Sequence, residues 1–196
     1  QSLNNGQEGY NIYNVYGDCI SHRPPPQVAP SARARATPPR TVGSIPPCLD
    51  AYAARDYLNR VDVQQALHVR PLKWDICSDA ISSKYRRTRQ SVAPEYLHLL
   101  RDGFRVLVYN GDNDAACPYT GNEYFIDVVL KATPTGPRWV RWDYPTAEGT
   151  QIGGHATYYR EGLTFTTVRG AGHMVPQYRP EAAYYMFAKW LRGERL

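Results

Sequence analysis

"RVLVYNGDNDAACPYTGNEYFIDVVL", residues 105–130, is the stretch whose reading decides the fold. "RVLVYN" is short and rich in β-formers, as a strand covered on both faces of an α/β sheet would be. Gly111, Asp112, Asn113 and Asp114 follow at once as a polar turn. Thr120 and Glu123 then stand at capping-box spacing, and "EYFIDVVL" continues as the pattern of an amphipathic helix. Strand, polar turn and helix together are the unit of an open α/β sheet. Such sheets gather functional side chains at the carboxyl ends of their strands, which is where Asp112 and Asp114 lie.

The same grammar extends outward in both directions. "RWVRW" (138–142) alternates like a strand, and "GGHATYYREGLTFTTVRG" (153–170) reads as two strands joined by "REG". "RPEAAYYMFAKWLRG" (179–193) predicts a helix with Pro180 in its first turn, Gly193 at its stop, and Ala183, Met186, Phe187, Trp190 and Leu191 on one core-facing stripe. Upstream, "SVAPEYLHLLRDG" (91–103) predicts a helix, "ARDYLNRVDVQQALHV" (54–69) one or two short helices, and "YNIYNVY" (10–16) a short strand-like run.

His173, in "GAGHMVP" (170–176), follows the strand "LTFTTV" as the two aspartates follow "RVLVYN". Acid before histidine is the order of the last two triad members in α/β-hydrolases, where a serine precedes both. A serine hydroxyl is a weak nucleophile. A neutral imidazole must take its proton, and a buried carboxylate must hold the imidazole in one tautomer. On pattern alone an Asp–His pair and ordinary loop polarity both remain open.

Composition bounds the alternatives. The chain has 196 residues, 42% of them hydrophobic, which suits one globular domain or part of a larger one. No apolar run approaches the roughly 20 residues of a membrane span, so no membrane partner is expected. The net charge of +5 does not describe a basic face: residues 22–47 hold four arginines and no acid, and the remainder is near +1. Nucleic-acid binding is therefore not expected. The same segment holds eight of the sixteen prolines and is expected to be mobile and cut first by trypsin, after Arg33, Arg35 or Arg40. Cys19, Cys48, Cys77 and Cys117 show no CxxC spacing, which argues against zinc or a redox dithiol. Cys19 and Cys48 bracket the proline-rich segment; a disulfide between them and free buried thiols are both compatible with the composition. Gln1 opens no signal-peptide pattern, and the start reads as that of a processed or cut piece.

"VYNGDNDAACPYTGNEYF" (108–125) and "VRGAGHMVPQYRPEAAYYMF" (168–187) closely resemble the serine carboxypeptidase family, the peptidases akin to cathepsin A. The resemblance extends to "NIYNVYGDC" (11–19), "YLNRVDVQQALHV" (57–69) and "KWDIC" (73–77), nearly the whole chain apart from the insert. It implies an α/β-hydrolase fold, with Asp114 and His173 as the catalytic acid and histidine, Cys117 and Met174 lining the substrate pocket, and Asp112 a structural carboxylate beside them. It implies no cofactor and no metal. It also implies a disulfide between Cys19 and Cys48, a free thiol at Cys117, and for Cys77 a partner in the family's N-terminal half.

One departure matters. No serine of the chain stands in the family's G-x-S-x-G context; Ser44, in "VGSIPP", comes nearest and precedes two prolines. The family's oxyanion-hole segment and carboxylate-binding residues also lack counterparts. The expectation is therefore the C-terminal half of an α/β-hydrolase: residues 1–48 the end of a cap (insertion) domain containing the segment 22–47, and 49–196 the C-terminal part of the core. The expected partners are the N-terminal half of the same enzyme, with an interchain disulfide through Cys77 as one option, and a peptide substrate; a homodimer is a further option. The setting implied is lysosomal, vacuolar or secreted. An acyltransferase or lyase on the same scaffold, and a non-catalytic protective or binding subunit, remain alternatives.

Overall fold

The computed structural model describes residues 11–17 and 52–196. Cys19, Cys48, the bond expected between them, and the segment 22–47 lie outside the described residues. The chain divides into two compact units, one holding Asn11 and residues 52–88, the other residues 12–17 and 89–196.

In the first unit the helical stretch breaks into α1 (Tyr52–Leu58) and α2 (Val61–Ala66), followed by a short α3 (Asp79–Ser82). Polar side chains bind the turns between them. Asn59 donates to the Trp74 carbonyl at 2.8 Å and accepts from the Trp74 N–H at 2.8 Å. Gln64, buried, donates to the carbonyls of Leu58 and Leu72. Cys77 is an exposed free thiol.

The second unit is built on a four-stranded sheet in the order β1-β4-β3-β2, from β1 (Val106–Gly111), β2 (Val140–Thr146), β3 (Gly149–Tyr158) and β4 (Leu163–Val168). β1 and β4 run parallel, Val106 beside Leu163 through Gly111 beside Val168, so both strands end at the same edge. β2 and β3 complete the sheet as antiparallel neighbours. Among the described residues no strand pairs with the other edge of β1.

Strand alternation sorts the core into two layers. Leu107, Trp142, Ala156 and Val168 face α7 (Pro180–Leu191), which follows the short α6 (Val175–Tyr178) and packs Ala182, Ala183 and Met186 against them. Val106, Val108, Leu163 and Phe165 face the other way, toward Leu100 of α4 (Ala93–Arg101) and Ile126 and Leu130 beyond α5 (Tyr119–Tyr124). This is the helix–sheet–helix layering of an α/β domain. Where the register of β2 and β3 shifts between Trp142 and Asp143, the unpaired Gly153 of β3 leaves room for the buried Trp142 indole, which donates to Thr166 Oγ1 at 2.9 Å.

Three expectations are corrected. The described part of the run at 10–16 is not a strand: residues 11–17 follow turns and a bend. Thr120 and Glu123 form no capping box, because Pro118 takes the N-cap position with no side-chain bond and Thr120 already lies inside α5. The helix then widens into a π turn, Phe125–Val129. On α7, Ala182 joins the buried face, while Phe187 and Leu191 are half exposed. The buried residues of that face are mostly small, which lets the helix lie close to the sheet.

Candidate active site

The parallel β1/β4 ladder does not stop cleanly; it runs on into the two loops that matter. Asp112 N–H donates to Val168 O at 3.2 Å and Asn113 N–H to Ala171 O at 2.9 Å. A Cβ on Gly111 would overlap the carbonyls of Ala171 and Gly172, so glycine is what lets the loops meet. The aspartate loop is also tied to α5: Asn110 donates to Cys117 O at 3.0 Å and accepts from Asn122 Nδ2 at 2.7 Å.

This brings Asp114 and His173 together. His173 Nδ1 lies 2.8 Å from Asp114 Oδ2. The Asp114 side chain is 3% exposed, and its Oδ1 accepts from the N–H groups of Ala116 (2.9 Å) and Cys117 (3.1 Å). A carboxylate bonded to two N–H donors only accepts, so Nδ1 carries the hydrogen and a neutral ring keeps its lone pair on Nε2. The His173 side chain is 38% exposed, against the near-complete burial of its partner.

Asp112 points elsewhere. Its Oδ1 accepts from Gly170 N–H at 2.7 Å, on the histidine loop. Burial pushes the Asp112 carboxyl above the usual aspartate range, against the pull of that N–H and of Arg169 and Arg179. Burial and the nearby Asp114 charge raise the Tyr178 phenol likewise. Cys117 is an exposed free thiol three residues from Asp114, and Met174, half-buried, adjoins the histidine. Among the described residues no group of three His, Cys, Asp or Glu could hold a metal ion.

Residues 12–17 form a strap that sequence reasoning did not place at the site. Ile12 O accepts from both Ala115 and Ala116 N–H at 2.9 Å, Tyr13 O accepts from His173 N–H at 2.7 Å, and Val15 N–H donates to Asn113 O at 2.9 Å. The Tyr13 ring meets the His173 ring edge-on, centroids 5.5 Å apart. Backbone carbonyls make most of these ties, and they leave no mark on residue type. The one serine of this unit, Ser91, accepts from Ala93 N–H at the start of α4.

A family model described as serine carboxypeptidase matches residues 1–193. Among curated proteins, the chain is 34% identical over 214 residues to lysosomal protective protein of Mus musculus, covering 96% of this chain and 44% of that one. It is 38% identical over 153 residues to serine carboxypeptidase-like 33 of Arabidopsis thaliana, covering 76% of this chain and 30% of the relative. Among solved structures it is similar to Kex1Δp, a prohormone-processing carboxypeptidase from Saccharomyces cerevisiae, with a TM-score of 0.54 and 21% identity over 69% of this chain and 30% of that one. The fold is accordingly that of the α/β-hydrolases. The chain spans less than half the length of these relatives.

Proposed function

The chain belongs to the serine carboxypeptidase family, and on that premise we propose that it supplies the aspartate and histidine of a serine-type carboxypeptidase that removes C-terminal residues from peptides. The observation that carries this reading is the Asp114–His173 contact, with the acid buried and the imidazole reaching solvent. In the proposed reaction His173 Nε2 takes the proton of a serine hydroxyl as that oxygen attacks the scissile carbonyl, then returns it to the leaving amine; water repeats the cycle on the acyl-enzyme. Asp114 holds the tautomer and stabilises the imidazolium. Cys117 and Met174 are proposed to line the pocket for the residue removed.

The nucleophile is proposed to lie outside these 196 residues, in a segment carrying the G-x-S-x-G turn and the oxyanion hole. The unpartnered edge of β1, with exposed Tyr109, Tyr184 and Phe187 near it, is where that segment is proposed to pack. A lysosomal, vacuolar or secreted setting goes with this reading. The Mus musculus relative is called a protective protein, and a protective role is the second reading.

The test is to purify the protein from its source, label it with a serine-reactive fluorophosphonate, and sequence the labelled peptide. The expected label is a serine within G-x-S-x-G that is none of the serines of residues 1–196, and it is lost when His173 is replaced by alanine. A labelled serine inside this chain overturns the half-site reading. No labelling of any serine favours the protective role.

A further inference from the structure

The Gly170 peptide, at the turn leading from β4 to His173, is gripped on both sides by side chains. Its N–H donates to Asp112 Oδ1 at 2.7 Å. Its carbonyl accepts from Arg179 Nε at 3.1 Å. Gly170 itself has φ +68, in the left-handed region, and a Cβ there would lie 2.5 Å from an Arg179 guanidinium nitrogen. The backbone angle favours glycine, and the guanidinium packs where a side chain at this position would lie. The two gripping residues come from different places: Asp112 from the aspartate loop, two residues before Asp114, and Arg179 from the turn into α7.

We propose that Asp112 and Arg179 are positioning residues that clamp the Gly170 peptide and so hold His173 in register with Asp114. This role deepens the proposed function and rests on Asp114 and His173 being its working pair. Val168 ends a strand whose direction is set by the sheet, and His173 must leave that direction to reach Asp114. The redirection happens at Gly170, the one left-handed residue between them. Beyond the pivot, backbone bonds hold Ala171, through its N–H to Val168 O and its carbonyl to Asn113 N–H, and His173, through its N–H to Tyr13 O. The clamp adds one side-chain bond to each of the two peptide planes that flank the Gly170 Cα. An imidazole carried on a freely rocking pivot spends less time at hydrogen-bond distance from its acid, and sub-ångström placement is what general-base catalysis depends on.

The clamp also links the site's two halves directly. Asp112 and Asp114 share one loop, so a single loop holds the histidine by its ring and by the turn that carries it. A protonated acid or an amide at position 112 still offers an oxygen to the Gly170 N–H. Asp112→Asn therefore keeps that arm of the clamp, and Asp112→Ala removes it.

The test is proton NMR of the 196-residue chain, reading the far-downfield resonance of the His173 Nδ1 hydrogen, with the Trp142 indole resonance and far-UV circular dichroism as controls of the fold. Asp114→Asn, which cannot accept that hydrogen through its amide nitrogen, identifies the resonance by abolishing it. Asp112→Ala and Arg179→Ala are expected to lose it while the Trp142 signal stays, and Asp112→Asn to keep it. Retention in a folded Asp112→Ala and a folded Arg179→Ala overturns the clamp. If Asp112→Ala does not fold, Arg179→Ala, altered at an exposed position, decides alone. The readout does not use turnover. If the resonance behaves as expected and the protein purified from its source carries no fluorophosphonate-reactive serine, the carboxypeptidase reading falls and the clamp stands.

Discussion

Gly111 and Ala171 are pressed together at the end of the β1/β4 ladder: a side chain on Gly111 would occupy the space of the Ala171 carbonyl. Both partners are backbone, so the clash cannot be relieved by a rotamer change. Gly111→Ala is therefore expected to cost about 1–3 kcal/mol or more, as overpacking in a closed interior does, and to part the aspartate and histidine loops. The measurement is a denaturant melt alongside the His173 ring resonance. A variant as stable as the parent, with that resonance in place, would show the two loops to be more yielding than their contact implies.

Asp114 answers to two sets of donors, and the two can be separated. Of the two N–H groups on Oδ1, Asp114→Ala leaves that of Cys117 without its acceptor while that of Ala116 keeps Ile12 O, a loss of about 1.5–3 kcal/mol for a bond to a charged acceptor. Asp114→Asn keeps an oxygen for them and turns an amide N–H₂ toward His173, favouring the wrong tautomer. The expected outcome is a stability close to the parent for Asn, a clear loss for Ala, and for both a fall in turnover of the active enzyme by about 10³–10⁴-fold. Equal stability losses for the two would mean that the Oδ1 contacts contribute little.

The strands and long helices were legible because their signals are local. β1 and β4 are runs of β-formers, α4 and α7 open on Pro94 and Pro180, and Gly103 and Gly193 take the left-handed angles of helix stops. The site was half legible. The sequence put Asp112, Asp114 and His173 near one sheet edge, but only resemblance separated the acids, since both lie in one turn and differ in where their side chains point. The strap was illegible because its ties to the site run mainly through the Ile12 and Tyr13 carbonyls, which any residue would provide. The capping-box pattern misled because Pro118 starts the helix two residues early. On α7 periodicity picked the stripe, yet the sheet ends before Phe187 and Leu191 are covered.

Trp142 and Gly153 fit as a single piece, the indole filling the place of the missing side chain. Trp142→Phe is expected to lose the bond to Thr166 Oγ1 and leave a gap, for a cost of about 1–3 kcal/mol. Gly153→Ala forces the indole out and is expected to cost at least as much. Because ring and glycine share one contact, the double variant should lose less than the two singles combined. Strict additivity in a double-mutant cycle would argue against the shared fit.

Asp112 is the acid beside the site whose titration should be visible in stability. Burial raises its folded value, and the Gly170 N–H, Arg169 and Arg179 only partly offset this. The folded state therefore holds the proton more tightly than the unfolded chain, whose aspartates titrate near about 3.9. A raised acid contributes stability that is fully present below the unfolded value and is lost as pH rises through the folded one. Asp112→Asn, neutral at every pH and still able to accept from Gly170, should thus match the parent below about pH 4 and exceed it at pH 7. The margin should be under about 1 kcal/mol, because Asp112 is partly exposed and solvent screens it. All other acids are common to both proteins and cancel in the difference. The check is a pair of thermal melts across pH 3–8. A parent more stable than the variant at pH 7 would mean that the Arg169 and Arg179 charges outweigh burial at this carboxylate.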